Sequence, residues 1–358
     1  MEKILIIAEA GVNHNGDPDL AFQLIEIAAQ SGADTVKFQL FNADKIVTKN
    51  LEKAEYQKKN SESGGSTQHE MLKGLELSRE VHRELKDFSN KVEIDYMCTA
   101  FDNDSLHFLA DDLGVNTLKI ASGEITNAPF LLETAKKRRK IILSTGMSNL
   151  EEVQNALSVL AFGLLEETEP SVEAFKEAYN SKEGGEALKE LVTILHCTSE
   201  YPAPYDQVNL SVIPSLQSKF GLEVGYSDHT KGIIVPPLAA AIGAKVIEKH
   251  FTLDRAMKGP DHFASIQPKE LKQMVNELRE VESILGSNIK EQTLSEKKNK
   301  DIVRKSLVAK RKIKKGEKLT EENITSKRPG VGVDPIEYWE LLGTTSNHDY
   351  EVDDLLKK

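Results

Sequence analysis

Eight short runs rich in β-branched residues recur along the chain up to about residue 251, and amphipathic stretches separate them. They are KILIIAEA (3–10), DTVKFQL (34–40), VEIDYMCTA (92–100), VNTLKIAS (115–122), KIILST (140–145), LVTILHCT (191–198), LEVGYS (222–227) and AKVIEKHF (244–251). Helical patterning follows, for example over 17–31, 102–113, 149–162 and 268–285. Strand-like runs that alternate with helical segments mark βα units and a parallel sheet, because parallel neighbours need a crossover between them. Eight units within about 285 residues predict an α/β fold, a closed (β/α)8 TIM barrel in preference to an open sheet.

Three stretches stand outside this rhythm. Residues 42–77 follow the second run and include SESGGS; within them GGSTQHE reads as a mobile loop and not as a phosphate cradle. Residues 163–189, with Glu166, Glu167, Glu169 and Glu173, read as a solvated surface insertion of helical tendency. Polar GSNIKEQTLSEKKNKD (286–301) reads as a linker, and beyond it short strands and glycine turns run without a long helix to about residue 335. The expected division is a barrel domain over 1–285, a linker over 286–301 and a small β-rich domain over 302–358.

The formal net charge of −11 disfavours nucleic acid or an anionic membrane as partner, so an anionic ligand would need positive charge gathered locally. Cys98 and Cys197 form neither a CxxC nor a disulfide framework, which fits a reducing compartment. The apolar start is too short for a secretory leader and is broken by Glu9, and no run approaches the ~20 apolar residues of a membrane span. A cytoplasmic location is expected.

In such a barrel, functional groups collect at the carboxyl ends of the strands. Those ends carry Glu9; Lys37 and Gln39; Thr99; Lys119, Ser122 and, just beyond, Glu124; Ser144; Ser199 and Tyr201; Ser227, Asp228 and His229; and His250. One polar strand end means little, since a strand must surface somewhere, but polar groups at all eight point to a shared site.

His229 and His250 end neighbouring strands, so their imidazoles can converge on one divalent ion such as Mn2+, Fe2+, Co2+ or Zn2+. The plainer alternative is two histidines that cap strands through hydrogen bonds. Lys37 and Lys119 lie inside apolar runs, where a buried ammonium needs a compensating charge. Either they pair with a rim carboxylate such as Glu9, or with hydroxyls from Thr99, Ser122, Ser144 and Ser227 they clamp a phosphate or carboxylate. Glu9, Glu124 and Asp261 are candidates for acid–base work or for binding hydroxyls.

Taken in order, IIAEAGVNHNGD, VKFQ, LKIASGEITN, ILSTGM, LHCTSEYPAP, GYSDHTKG, EKHFTLD and GPDHFAS resemble the sialic acid synthase family. KRKIKKGEKLTEENITSKRPGVG resembles that family's C-terminal antifreeze-like (SAF, β-clip) domain. The resemblance implies condensation of phosphoenolpyruvate with an N-acylated mannosamine in a domain-swapped homodimer. It also implies a divalent metal, Mn2+ first with Mg2+ or Co2+ as alternatives. By motif, His229 and His250 would hold the metal. Lys37, Thr99, Lys119, Ser122, Ser144, Ser199 and Ser227 would bind phosphoenolpyruvate. Gln39, Tyr201 and a partner chain's Arg328 would bind the sugar, with Glu9, Glu124 and Asp261 as the catalytic carboxylates. Ser199 and Ala100 stand where relatives often carry asparagine and proline, which bears on acceptor choice.

That inventory suits the reaction. Phosphoenolpyruvate is a weak carbon nucleophile, so the sugar must present a polarised open-chain aldehyde, and the oxocarbenium formed at C2 needs electrostatic support. Water then adds at C2 and phosphate leaves with C–O cleavage. The first expectation is an N-acetylneuraminate synthase acting on N-acetylmannosamine. The alternative is an N,N'-diacetyllegionaminate synthase acting on 2,4-diacetamido-2,4,6-trideoxymannose, because KAEYQKK and STQHEMLK look similar to those enzymes. A reading from another class is an inactive sugar- or ice-binding protein.

Overall fold

A computed structural model describes residues 3–53, 67–165 and 169–357; SESGGS, most of KAEYQKK, and Glu166 and Glu167 lie outside the described residues. The chain divides into two compact units, Met1–Gly286 and Ser287–Lys358.

In the first unit eight parallel strands close into a barrel in chain order. They are β1 (Leu5–Gly11), β2 (Thr35–Leu40), β3 (Asp95–Ala100), β4 (Thr117–Ile120), β5 (Lys140–Ser144), β6 (Val192–Cys197), β7 (Glu223–Asp228) and β8 (Val246–His250). Closure comes from β1 against β8, with Leu5 opposite Val246 and Glu9 opposite His250. Each expected run holds one of these strands, so the TIM barrel read from the alternation is the fold. The helices of this unit are α1 (Pro18–Ser31), α2 (Ala43–Ile46), α3 (Gln68–Lys73), α4 (Arg79–Lys91), α5 (Asn103–His107), α6 (Ala128–Lys136) and α7 (Leu150–Leu165). They continue with α8 (Val172–Asn180), α9 (Lys182–Leu191), α10 (Val212–Phe220), α11 (Val235–Ala241) and α12 (Pro268–Leu285).

Local chemistry sets the helix ends. Asp17 caps α1 by accepting from the Asp19 amide, Pro18 opens it, and Gly32 closes it at φ 82°. The main core lies between sheet and helices, where Ile6, Phe38, Ile120, Ile194 and Ile247 meet Leu24, Leu85, Leu131 and Leu278. Inside the barrel a separate apolar plug of Ile7, Met97, Ile142, Leu195 and Val246 fills the amino-terminal half.

Three expectations change. Thr67 and Glu70, expected within a mobile loop, exchange capping hydrogen bonds that start α3. The insertion is helical as expected but is not simply solvated: Phe175 packs its ring edge on Phe162 at 5.1 Å, and Ala178 and Leu188 are buried. Its apolar residues recur at helical spacing, and that face outweighs the glutamates. The stretch 286–301, expected as a linker, contains most of a helix, α13 (Leu294–Val303), nucleated by a Thr293–Glu296 capping box.

In the second unit β9 (Ser306–Ala309) pairs antiparallel with β10 (Ile324–Lys327), and α14 (Tyr338–Leu341) is one short turn. Its own core is Leu307, Ala309, Ile313, Leu319, Ile324, Val333, Tyr350 and Leu356. No helix among the described residues is long and apolar enough to cross a membrane.

Candidate active site

The carboxyl ends of the strands open into one cleft of about 510 Å3. Of the barrel residues singled out from the sequence for the shared site, all but Asp228 line it: Glu9, Lys37, Gln39, Thr99, Lys119, Ser122, Glu124, Ser144, Ser199, Tyr201, Ser227, His229, His250 and Asp261. Arg328 belongs to the second unit, where its Nε donates to the Val303 carbonyl at 2.9 Å.

The floor of the cleft is a buried network of two ammoniums and two carboxylates. Lys37 Nζ lies 2.8 Å from Glu9 Oε2 and 3.4 Å from Glu248 Oε2, and donates to Thr99 Oγ1 at 3.1 Å. Lys119 Nζ donates to Ser144 Oγ at 2.7 Å and stands 3.8 Å from Glu248 Oε1. Ser227 Oγ donates to Glu248 Oε1 at 2.8 Å, and Gln39 Nε2 to Glu9 Oε1 at 3.2 Å. The lysines pair with carboxylates, the plainer of the two readings, and Thr99 and Ser144 accept from them, while Ser122 Oγ meets Cys197 Sγ at 3.2 Å instead.

The charges in this network are unevenly compensated. Burial raises Glu9 to about 7 even though Lys37 opposes it. Burial also works against Glu248, but the Lys119 and Lys37 ammoniums and the Ser227 hydroxyl hold its carboxyl well below the usual range. Burial would depress Lys37, yet Glu248 and Glu9 together raise it; for Lys119 burial wins and its pKa falls. Lys119 is thus the less compensated of the two ammoniums.

His229 and His250 stand beside this floor with ring centroids 5.5 Å apart. The His229 Nδ1–H donates to the Thr198 carbonyl at 2.7 Å, which leaves Nε2 as a lone-pair donor. His250 Nδ1 is buried without a hydrogen-bond partner and lies 3.8 Å from Asp261 Oδ2. Burial lowers the pKa of both imidazoles, keeping them neutral as metal ligation requires, and raises Asp261 to about 6. The Tyr201 ring closes over the pair, 4.1 Å from His229 and 5.6 Å from His250. The donor set fits a divalent ion. Among the described residues no group of three or more His, Cys, Asp or Glu is placed to hold a metal ion, so the pair offers two nitrogen donors only.

Backbone shape lets these groups approach one another. β1 bulges at Gly11, φ 54°, where a Cβ would stand 3.3 to 3.4 Å from Glu9, Gln39 and His250. At Gly146 a Cβ would fall 2.3 Å from Ser199 Oγ and 2.8 Å from Ser122 Oγ. Ser122 Oγ instead accepts from the Gly146 amide at 3.0 Å. Glu124 lies on a 3-10 turn at the lip, half-buried, and accepts from Asn127 Nδ2 at 2.7 Å.

Three features escaped the sequence reading. Glu248 is central to the network, and its signal was present: it precedes His250 by two on one strand and so shares its face. Met147 lines the cleft at φ 61° and is 74% exposed. Asp228, read as a rim residue, is fully buried and is absent from the cleft lining. It faces outward with Lys249, whose Nζ lies 2.6 Å from Asp228 Oδ2 and donates to the Thr230 carbonyl at 2.5 Å. Asp228 also accepts from the Thr230 amide at 3.0 Å and from the Tyr226 hydroxyl at 3.2 Å.

Comparison with known proteins adds the following. The NeuB family matches residues 24–290 and the SAF domain residues 304–356. The chain is 48% identical over 358 residues, all of both chains, to an N,N'-diacetyllegionaminic acid synthase of Campylobacter jejuni. It is 47% identical over 339 residues to an enzyme of the same name in Legionella pneumophila, covering 95% of this chain and 89% of that one. Among solved structures, N-acetylneuraminic acid synthetase from Leptospira borgpetersenii in complex with citrate superposes with a TM-score of 0.69 at 34% identity, covering 83% of this chain and 90% of that one.

Proposed function

The chain belongs to the NeuB family, and from that premise we propose that it is an N,N'-diacetyllegionaminate synthase. It condenses phosphoenolpyruvate with 2,4-diacetamido-2,4,6-trideoxymannose and water, releasing phosphate. N-acetylmannosamine, the acceptor expected first, gives way because identity to two diacetyllegionaminic acid synthases reaches 48% and 47% over nearly the whole chain. That similarity carries the choice of acceptor; the buried Lys37–Glu9–Glu248–Lys119 network carries the choice of chemistry.

Lys119, with Ser144, Ser122 and Thr99, takes the anionic groups of phosphoenolpyruvate, and Lys37 completes the clamp. A divalent ion held by His229 and His250 would supply Lewis-acid polarisation of the acceptor aldehyde. C3 of phosphoenolpyruvate attacks that carbon: the enol π pair forms the C–C bond, the carbonyl π pair moves onto the aldehyde oxygen, which takes up a proton to become a hydroxyl, and an oxocarbenium is left at C2. Glu9 and Glu248 face the developing positive charge at close range in a dry site. Glu9, poised near 7, then takes a proton from the water that adds at C2, and the C–O bond to phosphate breaks. Glu124 at the lip and Asp261 beside the histidines are left to bind acceptor hydroxyls. A homodimer, with a partner chain's Arg328 reaching the acceptor's N-acyl oxygen, belongs to the same proposal and rests on family resemblance.

Steady-state assay of phosphate release with each acceptor, with product masses measured, tests this reading. The diacetamido sugar should give the larger kcat/KM by tenfold or more. A larger kcat/KM with N-acetylmannosamine would overturn it.

A further inference from the structure

The cleft has two chemically opposed walls. Besides the ionic floor, Ile46 and Val47 at the end of α2 and Met71, Leu72 and Leu75 on and after α3 line the same opening. Met71 and Leu75 join Val12 and Phe41 in an apolar cluster separate from the barrel core, with Ile46, Leu72 and Phe101 packed against it. The Phe41 and Phe101 rings meet edge to face at 6.1 Å. Ile46, Val47, Leu72 and Phe101 are only half-buried, so the wall is an apolar surface turned to the opening and not the sealed interior of a loop.

A fully hydroxylated sugar is a poor match for this wall, since a hydroxyl pressed on it sheds water and gains no partner. A methyl group gains from the same contact. The reacting end of the acceptor must sit over the ionic floor, so its far end is the part free to reach the apolar residues of the same cleft. We infer that the wall built by Ile46, Val47, Met71 and Leu72 receives the deoxygenated C6 methyl of the acceptor and selects for 6-deoxy sugars. This assignment rests on the acceptor proposed above. It makes these four positions specificity determinants that take no part in the chemistry.

The test separates the two claims. Leu72→Gln and Ile46→Asn, made singly at half-buried positions, are assayed with the 6-deoxy diacetamido acceptor, with its 6-hydroxy counterpart and with N-acetylmannosamine. In the unmodified protein, restoring the 6-hydroxyl should lower kcat/KM roughly tenfold or more, the scale on which a pocket senses one small group. Each variant should narrow that ratio by raising KM for the 6-deoxy sugar, while KM for phosphoenolpyruvate stays put. Leu72→Met should keep the preference. Equal use of the two diacetamido sugars by the unmodified protein overturns the assignment without any variant having to fold. An unchanged ratio in both variants also overturns it, and leaves the diacetyllegionaminate reading intact. A preference for N-acetylmannosamine in the unmodified protein instead sinks that reading, and this inference falls with it.

Discussion

Two layers of the barrel interior, made by the same strands, could hardly differ more. Ile7, Met97, Ile142, Leu195 and Val246 fill the lower layer as an apolar plug. Two residues further along the same strands stand Glu9, Thr99, Ser144, Cys197 and Glu248. One step of the strand repeat turns a packed interior into a charged one. The plug draws stability from buried area and close packing. With Lys37 from β2 and Lys119 from β4, the layer above it buries two ammoniums and two carboxylates whose desolvation opposes folding, and such a layer is retained for chemistry. Stability and function are thus stacked along one axis, and substitutions in the two layers should give opposite signatures.

The largest effect is expected below. Leu195→Ala empties part of the plug and should cost about 2–5 kcal/mol of stability, read from denaturant or thermal midpoints. KM for both substrates should hold at temperatures where the variant is folded; a large KM change there would break the division. Next comes Lys119→Met in the upper layer. It should weaken phosphoenolpyruvate binding or turnover by about 1.5–3 kcal/mol, the scale of a hydrogen bond to a charged group. Its midpoint should hardly move, because Lys37 still faces Glu248 at 3.4 Å. A collapse of stability with unchanged KM would reverse the roles of the layers.

The smallest effect is a pH dependence. Glu9 is raised from 4.5 to about 7, so it is protonated below that pH and ionised above it. A base of this kind makes kcat/KM fall roughly tenfold per unit as the pH drops below about 7, and Glu9→Gln should remove that break. The sign for folding is the opposite. The folded state holds this proton more tightly than the unfolded chain, so the group's contribution to stability declines as the pH rises from 4.5 through 7. A kcat/KM profile flat across pH 7 in the unmodified protein would remove Glu9 as the base.

Much of this was legible in the residues. Strand-length apolar runs with helical stretches between them left little room for another fold. The rim positions could be listed because a parallel barrel collects its chemistry at one end. Facing was harder. Strands buried on both sides show no polar–apolar alternation to fix their phase, so Asp228 was counted with Ser227 although it points the other way. Glu248 was passed over although His250, two residues on, already fixed its face. The apolar wall was invisible because Ile46 and Leu72 are well separated within the 42–77 stretch, whose folding could not be read from the residues. Capping boxes at Thr67 and Thr293 were short local signals outweighed by polar composition.

The outward pair Asp228–Lys249 gives the molecule a mechanical property. Its members are register partners on β7 and β8, and the next residue on each chain segment is a histidine of the cleft. Through Thr230, the pair also clips the backbone on the far side of His229. The spacing between the imidazoles is therefore gauged from behind, by a fastener that substrate never meets. Loosening it would shift the two histidines without replacing any residue that lines the cleft. Inheritance could alter this enzyme's chemistry from the helix side of the sheet, where an inspection of the cleft would not look.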